Sequence, residues 1–181
     1  MNFQGKNVLI TGTNRGIGKV ALEEFAKNGA NIIAHTRFKT DSFLAYLDEI
    51  EKNYNVKTYP VYCDLSSSEE IKACFKSIHE LKISVDVLVN NAGVPHGGFF
   101  QMTKIEDIKN IFNVNLFAVM ELTQYILKLM VRQKSGAIIN ISSVSGVNLT
   151  EGNCAYGISK SALDDFTKVL SKEVAQYGIR V

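Results

Sequence analysis

The stretch "KNVLITGTNRGIGKVALEEFAKNGANIIAHT", residues 6–36, decides the fold of this 181-residue chain. It opens with an apolar run, passes through a loop with three glycines, continues as an amphipathic segment and ends in a second apolar run. Runs that are apolar nearly throughout are typical of strands buried on both faces of a parallel sheet. The segment between them reads as a helix that stops at "NGA", residues 28–30. The stretch is therefore a β-α-β unit.

The rest of the chain repeats this alternation. The strand candidates are residues 6–11, 31–36, 57–64, 85–91 and 136–142. The helix candidates are residues 16–28, 41–53, 67–81, 104–133 and 155–177. Strict alternation predicts a Rossmann-type α/β fold, with a doubly wound parallel sheet between two layers of helices. We expect a single domain over residues 1–181 that is incomplete at its C-terminus, because "YGIRV" at 177–181 reads as the start of another strand.

Composition and charge exclude several classes of protein. Apolar residues make up 46% of the chain, charged residues 21%, and the formal net charge is +2. This balance is typical of a globular protein and argues against nucleic acid as the partner, because phosphate-binding proteins carry a basic stripe. No apolar run reaches the length needed to span a bilayer, and the N-terminus lacks a signal-peptide pattern. The three cysteines and three histidines show no metal-ligand spacing, so we expect reduced thiols, no metal and a cytoplasmic location.

The loop "TGTNRGIG", residues 11–18, is the first candidate site. Gly12, Gly16 and Gly18 permit a tight turn that brings backbone N–H groups to a pyrophosphate at the positive end of the next helix. The spacing G-x-x-x-G-x-G differs from the more familiar dinucleotide fingerprint, but it stands in the strand–turn–helix context that such a motif needs. The alternative is a glycine-rich connection that binds no ligand.

The end of the second strand candidate indicates which nucleotide would bind. An acid there normally holds the adenosine ribose 2′-hydroxyl, whereas an arginine accommodates a 2′-phosphate. Here "AHTRF" at 34–38 supplies Arg37, with no acid before Asp41, and Arg15 of the glycine loop could approach the same phosphate. Guanidinium groups grip phosphate through bidentate hydrogen bonds, so we predict NADP(H) in preference to NAD(H). Either arginine could instead be a solvated surface residue.

The second candidate site lies in "NCAYGISKSALDDF", residues 153–166. Tyr156 and Lys160 are four positions apart, so on a helix their side chains project from the same face. An ammonium close to a phenol favours the phenolate by Coulomb attraction, which would make Tyr156 a general acid/base near neutral pH. The alternative is an ordinary surface contact between residues one turn apart.

These motifs, in their order along the chain, resemble those of the short-chain dehydrogenase/reductase family. The matching stretches are "TGTNRGIG" at 11–18, "CDLS" at 63–66, "NNAG" at 90–93, "VNL" at 114–116, "NISSVSG" at 140–146 and "YGISK" at 156–160. Within the family, the chain looks most like the 3-oxoacyl-carrier-protein reductases. The resemblance implies an oxidoreductase that transfers a hydride between NADP(H) and a small carbonyl or secondary alcohol, with a 3-oxoacyl thioester as one candidate substrate.

The resemblance also implies a role for each matching residue. Tyr156 would be the general acid/base, and Lys160 would assist it and bind the nicotinamide ribose. Ser143 would polarise the substrate carbonyl, and Asn115 would order a water in a proton relay. The residues expected to hold the cofactor, besides Tyr156 and Lys160, are Gly12, Asn14, Arg15, Gly16, Ile17, Gly18, Arg37, Asp64, Leu65, Asn91, Ala92 and Gly93. Among them, the resemblance implies that Asp64 accepts a hydrogen bond from the adenine amine, with Leu65 beside it, and that Asn91, Ala92 and Gly93 line the adenosine ribose.

Two further expectations follow from the resemblance. The helices at 104–133 and 155–177 would pair with those of neighbouring subunits in a homotetramer or dimer. The last strands and most of the substrate lid would lie beyond residue 181. A second hypothesis is therefore a catalytically silent dinucleotide-binding module, or an inactive fragment of such an enzyme.

Overall fold

Six parallel strands form the central sheet of the computed structural model, which describes residues 2–181. Their order is β3-β2-β1-β4-β5-β6. The strands are β1 (Asn7–Thr11), β2 (Asn31–Thr36), β3 (Thr58–Tyr62), β4 (Val87–Asn90), β5 (Gly136–Asn140) and β6 (Ile179–Arg180). This is the predicted doubly wound sheet, and β6 begins where "YGIRV" was expected to enter a strand. The predicted fold class is confirmed.

Helices cover both faces of the sheet. The described residues form seven α-helices: α1 (Gly16–Lys27), α2 (Asp41–Tyr54), α3 (Ser68–Glu80), α4 (Ile105–Phe112), α5 (Ala118–Gln133), α6 (Val144–Asn148) and α7 (Cys154–Val174). Two of them begin at side-chain caps that the sequence supplies, since the hydroxyls of Thr40 and Ser67 accept hydrogen bonds from the first turns of α2 and α3. The five-residue α6 was not predicted from the sequence.

The core is divided between the two faces of the sheet. Val8 and Ile10 of β1 pack on the side of α1 and α2, whereas Leu9 between them packs on the side of α3, α5 and α7. Successive side chains of a strand point to opposite faces, so a strand covered on both sides must be apolar at every position. This explains why the central residues 8–10 of β1 are all apolar.

The predicted helix at 104–133 is interrupted. Residues Asn113–Phe117 form a π-helical turn between α4 and α5, a local widening that is frequent at functional sites. By length and composition alone, Ile105–Gln133 could cross a membrane, although the sequence had suggested no such segment. Ile126 and Met130 are fully buried against the sheet, while Lys128 on the other face is exposed. Packing in the core accounts for the apolar composition of this helix.

Asp86 ties the amino ends of β1 and β4 together. Its carboxylate accepts hydrogen bonds from the Asn7 backbone N–H at 2.9 Å and from the Lys6 ammonium at 3.0 Å. Burial tends to raise the pKa of this carboxyl, but these hydrogen bonds and one from Ser84 outweigh it and leave the pKa below its ordinary value. The opposite, carboxyl ends of the strands are left to form the site.

Candidate active site

The glycine loop lies at the carboxyl end of β1, where the strand order reverses between β1 and β4. Such switch points are where open α/β sheets bind ligands. Gly12 (φ +72°) and Gly16 (φ +57°) adopt left-handed conformations that a side chain would strain. Arg15 is the extended residue immediately before α1. The loop therefore leads directly into the N-terminus of α1, the positive end of the helix dipole, as an anion-binding turn requires.

Gly18 serves close packing. A Cβ at this position would lie 2.9 Å from the Gly12 carbonyl carbon, and closer still to the Gly12 oxygen and the Asn91 amide. That amide donates hydrogen bonds through Nδ2 to the carbonyls of Thr11 at 2.8 Å and Gly12 at 3.2 Å. Asn91 thus braces the loop from the side of β4. Its predicted contact with the adenosine ribose stays a prediction.

A cleft of about 540 Å³ opens beside the loop. Eight of the predicted cofactor residues line it, namely Gly12, Asn14, Arg15, Arg37, Asp64, Leu65, Ala92 and Gly93. Among residues 2–181, the other predicted cofactor residues lie outside this lining: Gly16, Ile17, Gly18, Asn91, Tyr156 and Lys160. The cleft therefore unites mainly those residues that were assigned to the adenosine half of a dinucleotide.

Arg37 and Asp64 form an ion pair at the wall of the cleft, between Nη2 and Oδ2. The Arg37 side chain is 61% exposed and also stacks over the ring of Phe38. The backbone N–H of Ser66 is the main cause that holds the pKa of the Asp64 carboxyl below its ordinary value; partial burial opposes it, while the Ser66 hydroxyl and Arg37 act in the same direction. The two residues were predicted to bind different parts of the nucleotide, and the structure joins them.

Lys160 carries its ammonium into the protein. Only 5% of the residue is exposed, and Nζ donates to the Ile141 carbonyl oxygen at 2.7 Å. Burial lowers the pKa of this ammonium, and the Asp164 carboxylate partly counters the effect. A Cβ built on Gly93 would lie 3.7 Å from Nζ, so the ammonium borders the inner end of the cleft. Tyr156 is half-buried one turn earlier on α7, and within residues 2–181 the hydrogen bond of Nζ goes to Ile141 rather than to the phenol.

Ser143 stands directly before α6, and α6 packs closely on α7. The Ser143 hydroxyl oxygen caps α6 and accepts from the Ser145 N–H at 3.2 Å, which leaves its hydrogen able to donate to a carbonyl. Two glycines permit the contact between the helices. A Cβ on Gly146 would lie 2.9 Å from the Ser161 nitrogen, and one on Gly157 would lie 2.8 Å from the Ser145 oxygen.

Gly146 and Gly157 were missed as site residues, although both stand inside stretches that carried the resemblance, "NISSVSG" and "YGISK". A glycine in the first turn of an amphipathic helix costs helix stability, and that cost was the available signal of close packing. His35, which also lines the cleft, was considered only as a metal ligand. Within residues 2–181, no three His, Cys, Asp or Glu side chains converge to hold a metal ion.

Asn115 occupies the π-helical turn and is fully buried. Its Oδ1 accepts from the Val94 N–H at 2.8 Å, and its Nδ2 donates to the Val94 carbonyl at 3.0 Å and to the Ser159 hydroxyl at 3.2 Å. It therefore fixes the chain after β4 to α7 beside Lys160. The expected relay water stays a prediction.

The chain is similar to known proteins along nearly its whole length. The family model for short chain dehydrogenases matches residues 6–181. The 3-oxoacyl-[acyl-carrier-protein] reductase FabG of Aquifex aeolicus is 36% identical over 181 residues, which are 100% of this chain and 73% of that protein. The corresponding reductase of Thermotoga maritima is 35% identical over 184 residues, again 100% and 73%.

Solved structures of other proteins share the fold of this chain. L-sorbose reductase from Gluconobacter frateurii, complexed with NADPH and L-sorbose, superposes with a TM-score of 0.94 at 29% identity and covers 100% of this chain and 68% of its own. A short-chain dehydrogenase from Streptomyces avermitilis has a TM-score of 0.89 at 30% identity, with coverage of 100% and 65%. The chain thus spans about two thirds to three quarters of the length of these proteins.

Proposed function

The chain belongs to the short-chain dehydrogenase family, and from that premise we propose that it is an NADP(H)-dependent oxidoreductase that interconverts a carbonyl and a secondary alcohol. The observation that carries the proposal is the close packing of α6, which begins directly after Ser143, on α7, whose first turns carry Tyr156 and Lys160, with the Lys160 ammonium beside Gly93 of the nucleotide cleft. A hydroxyl donor, a phenol and a buried cation are the groups that carbonyl reduction requires.

The residues around the cleft fit a dinucleotide. A Cβ at Gly12 would lie 3.1 Å from the Ala92 Cα. Any side chain at this position would therefore occupy the narrow space between the glycine loop and the segment after β4. The N-terminus of α1 offers backbone N–H groups to a pyrophosphate. Arg37 and Arg15 line the wall of the cleft where a 2′-phosphate would be recognised. A bound nicotinamide nucleotide supplies the hydride that the protein's own side chains cannot.

The proton and the developing charge are then handled by the protein. The Ser143 hydroxyl donates a hydrogen bond to the substrate carbonyl oxygen, which gains charge as the carbonyl carbon is reduced. The Tyr156 hydroxyl gives its proton to that oxygen and becomes a phenolate, and in the reverse direction the phenolate accepts a proton from the alcohol. The Lys160 ammonium favours the resulting phenolate because it is a cation in a region of low dielectric. Asn115 keeps Lys160 and the segment after β4 in register.

Names of similar proteins guide the choice of substrates. The relatives include reductases of 3-oxoacyl-[acyl-carrier-protein] and a reductase of L-sorbose. We propose a 3-oxoacyl thioester as the first candidate and keto sugars as the second. The test is to follow NADPH oxidation by the purified chain with 3-oxoacyl thioesters, sugars and simple ketones.

The Tyr156→Phe variant is the matched control, because it removes one oxygen atom and keeps the ring. Its turnover should fall by about 10²–10⁴-fold, far more than any loss of NADPH affinity from the missing hydroxyl. Turnover that survives the substitution would rule out Tyr156 as the acid. NADPH binding by the wild type without turnover on any carbonyl would favour the second hypothesis, a catalytically silent nucleotide-binding module.

We further propose self-association through the long helices. Phe117 in the π-helical turn and Ile158 and Val169 on α7 are 56%, 47% and 56% exposed, which is unusual for large apolar side chains on two packed helices. Light scattering should show a dimer or tetramer that Val169→Asp converts towards a monomer. A wild-type monomer at micromolar concentration would contradict this. The cytoplasmic location stays a prediction.

A further inference from the structure

His35 is a buried imidazole whose two nitrogens are both engaged. It belongs to β2 and is 3% exposed. Its Nδ1 lies 3.2 Å from the backbone nitrogen of Gly12, and its Nε2 lies 3.0 Å from the carbonyl oxygen of Cys63. A backbone N–H can only donate and a carbonyl can only accept, so the ring is the neutral tautomer with its proton on Nε2. The side chain thereby links the segments that follow β1 and β3.

The backbone of His35 holds the next residue of the same loop. Its carbonyl oxygen accepts from both the N–H and the hydroxyl of Thr13, each at 3.0 Å. His35 is therefore hydrogen-bonded to both Gly12 and Thr13, while Asn91, which follows β4, is hydrogen-bonded to the loop from the opposite side. The N–H groups of Gly12 and Thr13 are thus both engaged within the protein, so a ligand would have to bind the N–H groups that follow them in the loop.

We propose that His35 is a positioning residue for the nucleotide: its Nδ1 fixes Gly12 and thereby aims the glycine loop before the ligand arrives. The inference rests on the proposed nucleotide-binding function. Without the acceptor, the Gly12 N–H would be left unpaired and the glycine would be able to leave its left-handed conformation. Binding would then have to reorder the loop, and preorganisation is what a fixed loop contributes to affinity.

Two variants separate the two hydrogen bonds of the imidazole. The amide oxygen of His35→Asn can replace Nδ1 as the acceptor for Gly12, whereas the amide nitrogen of His35→Gln can replace Nε2 as the donor to Cys63. We expect His35→Gln to weaken NADPH and NADH equally, by roughly tenfold. We expect His35→Asn to restore affinity to within about threefold of the wild type. His79→Asn on α3 is the control for replacing a histidine elsewhere.

Several results would overturn the inference. Equal affinities in both variants, whether retained or lost together, would show that the bond to Gly12 is not the one that matters. A loss confined to NADPH would place the effect at the 2′-phosphate and not at the glycine loop. A wild-type protein that binds neither nucleotide would remove the proposed function and this inference with it, which distinguishes the two failures.

A measurement on the wild type keeps the test independent of folding of the variants. Long-range ¹H–¹⁵N correlation spectra report which imidazole nitrogen carries the proton. We expect His35 Nδ1 to be unprotonated and Nε2 protonated, with slow exchange of the Gly12 amide. A proton on Nδ1 would make the bond from Gly12 impossible and would refute the proposal, even if His35→Gln failed to fold.

Discussion

Replacing Arg37 with methionine should change the relative affinity of the protein for NADPH and NADH. The guanidinium is the charged group at the end of β2, where a 2′-phosphate would lie, and no acid occupies that position. Charge-assisted hydrogen bonds from arginine to a phosphate contribute about 1.5–3 kcal/mol. NADH lacks the phosphate, so it should lose almost nothing on this substitution.

The structure reduces that figure, because Arg37 already pairs with Asp64. A pair with one largely exposed partner contributes about 0.2–1 kcal/mol, and the phosphate must compete with it. The net loss of NADPH affinity in Arg37→Met is then about 0.5–2.8 kcal/mol, or roughly 2- to 100-fold. Asp64→Asn should act in the opposite direction and improve the NADPH to NADH ratio by up to about fivefold, since it removes both the competitor and a like charge.

Titration calorimetry with both nucleotides at one fixed ionic strength measures these ratios, because salt screens exposed charges. Taking the ratio cancels any contact of Asp64 with the adenine that the two nucleotides share. Lys39→Met removes the same charge two residues away and controls for the general field. An unchanged ratio in Arg37→Met, or an equal change in Lys39→Met, would refute the assignment of the 2′-phosphate to Arg37.

Three other outcomes can be checked by denaturant unfolding. Gly18→Ala should cost about 1–3 kcal/mol of unfolding free energy by overpacking, whereas Gly97→Ala, whose Cβ would meet nothing within 4 Å, should be neutral. Asp86→Asn should destabilise the protein at pH 7 by about 1–2 kcal/mol. Because the pKa of Asp86 is lower in the folded protein than in the unfolded chain, that difference should begin to shrink as the pH falls to about 4 and should vanish only below the folded-state pKa. Exposed Asp165→Asn is the control variant. Ile126→Ala should cost about 2–5 kcal/mol if α5 packs in a protein core, and far less if this face of α5 lay outside it.

Much of the fold could be predicted because short-range patterns of apolar and polar residues indicate most of the strands and helices. The strands at 31–36 and 136–142 and the helices at 16–28 and 41–53 were placed within two residues of their observed ends. Each β-α-β unit repeats one change of period, from apolar runs to an amphipathic helix, that neighbouring residues alone reveal. The glycine loop could be located for the same reason, since strand, turn and helix are contiguous.

The candidate site could be predicted only as a set of positions. The matching stretches named Ser143, Tyr156 and Lys160, yet they did not reveal that Gly146 and Gly157 let α6 approach α7 closely. The break in the helix at 104–133 was missed for a similar reason. The π-helical turn contains Asn115, which is hydrogen-bonded to Val94, 21 residues earlier in the chain. The apolar periodicity of a helix contains no information about such a long-range contact.

The sequence by itself determined where most of the strands and helices lie, that the sheet is parallel and doubly wound, and the family to which the chain belongs. Only the tertiary structure decided that Arg37 meets Asp64, that Asn91 braces the glycine loop, and that His35 holds Gly12 from 23 residues away. Secondary structure depends mainly on residues that are close in sequence, so a short stretch of sequence is enough to predict it. The partners of these polar groups follow from the register of β1 with β2 and β4, which depends on the packing of the whole sheet.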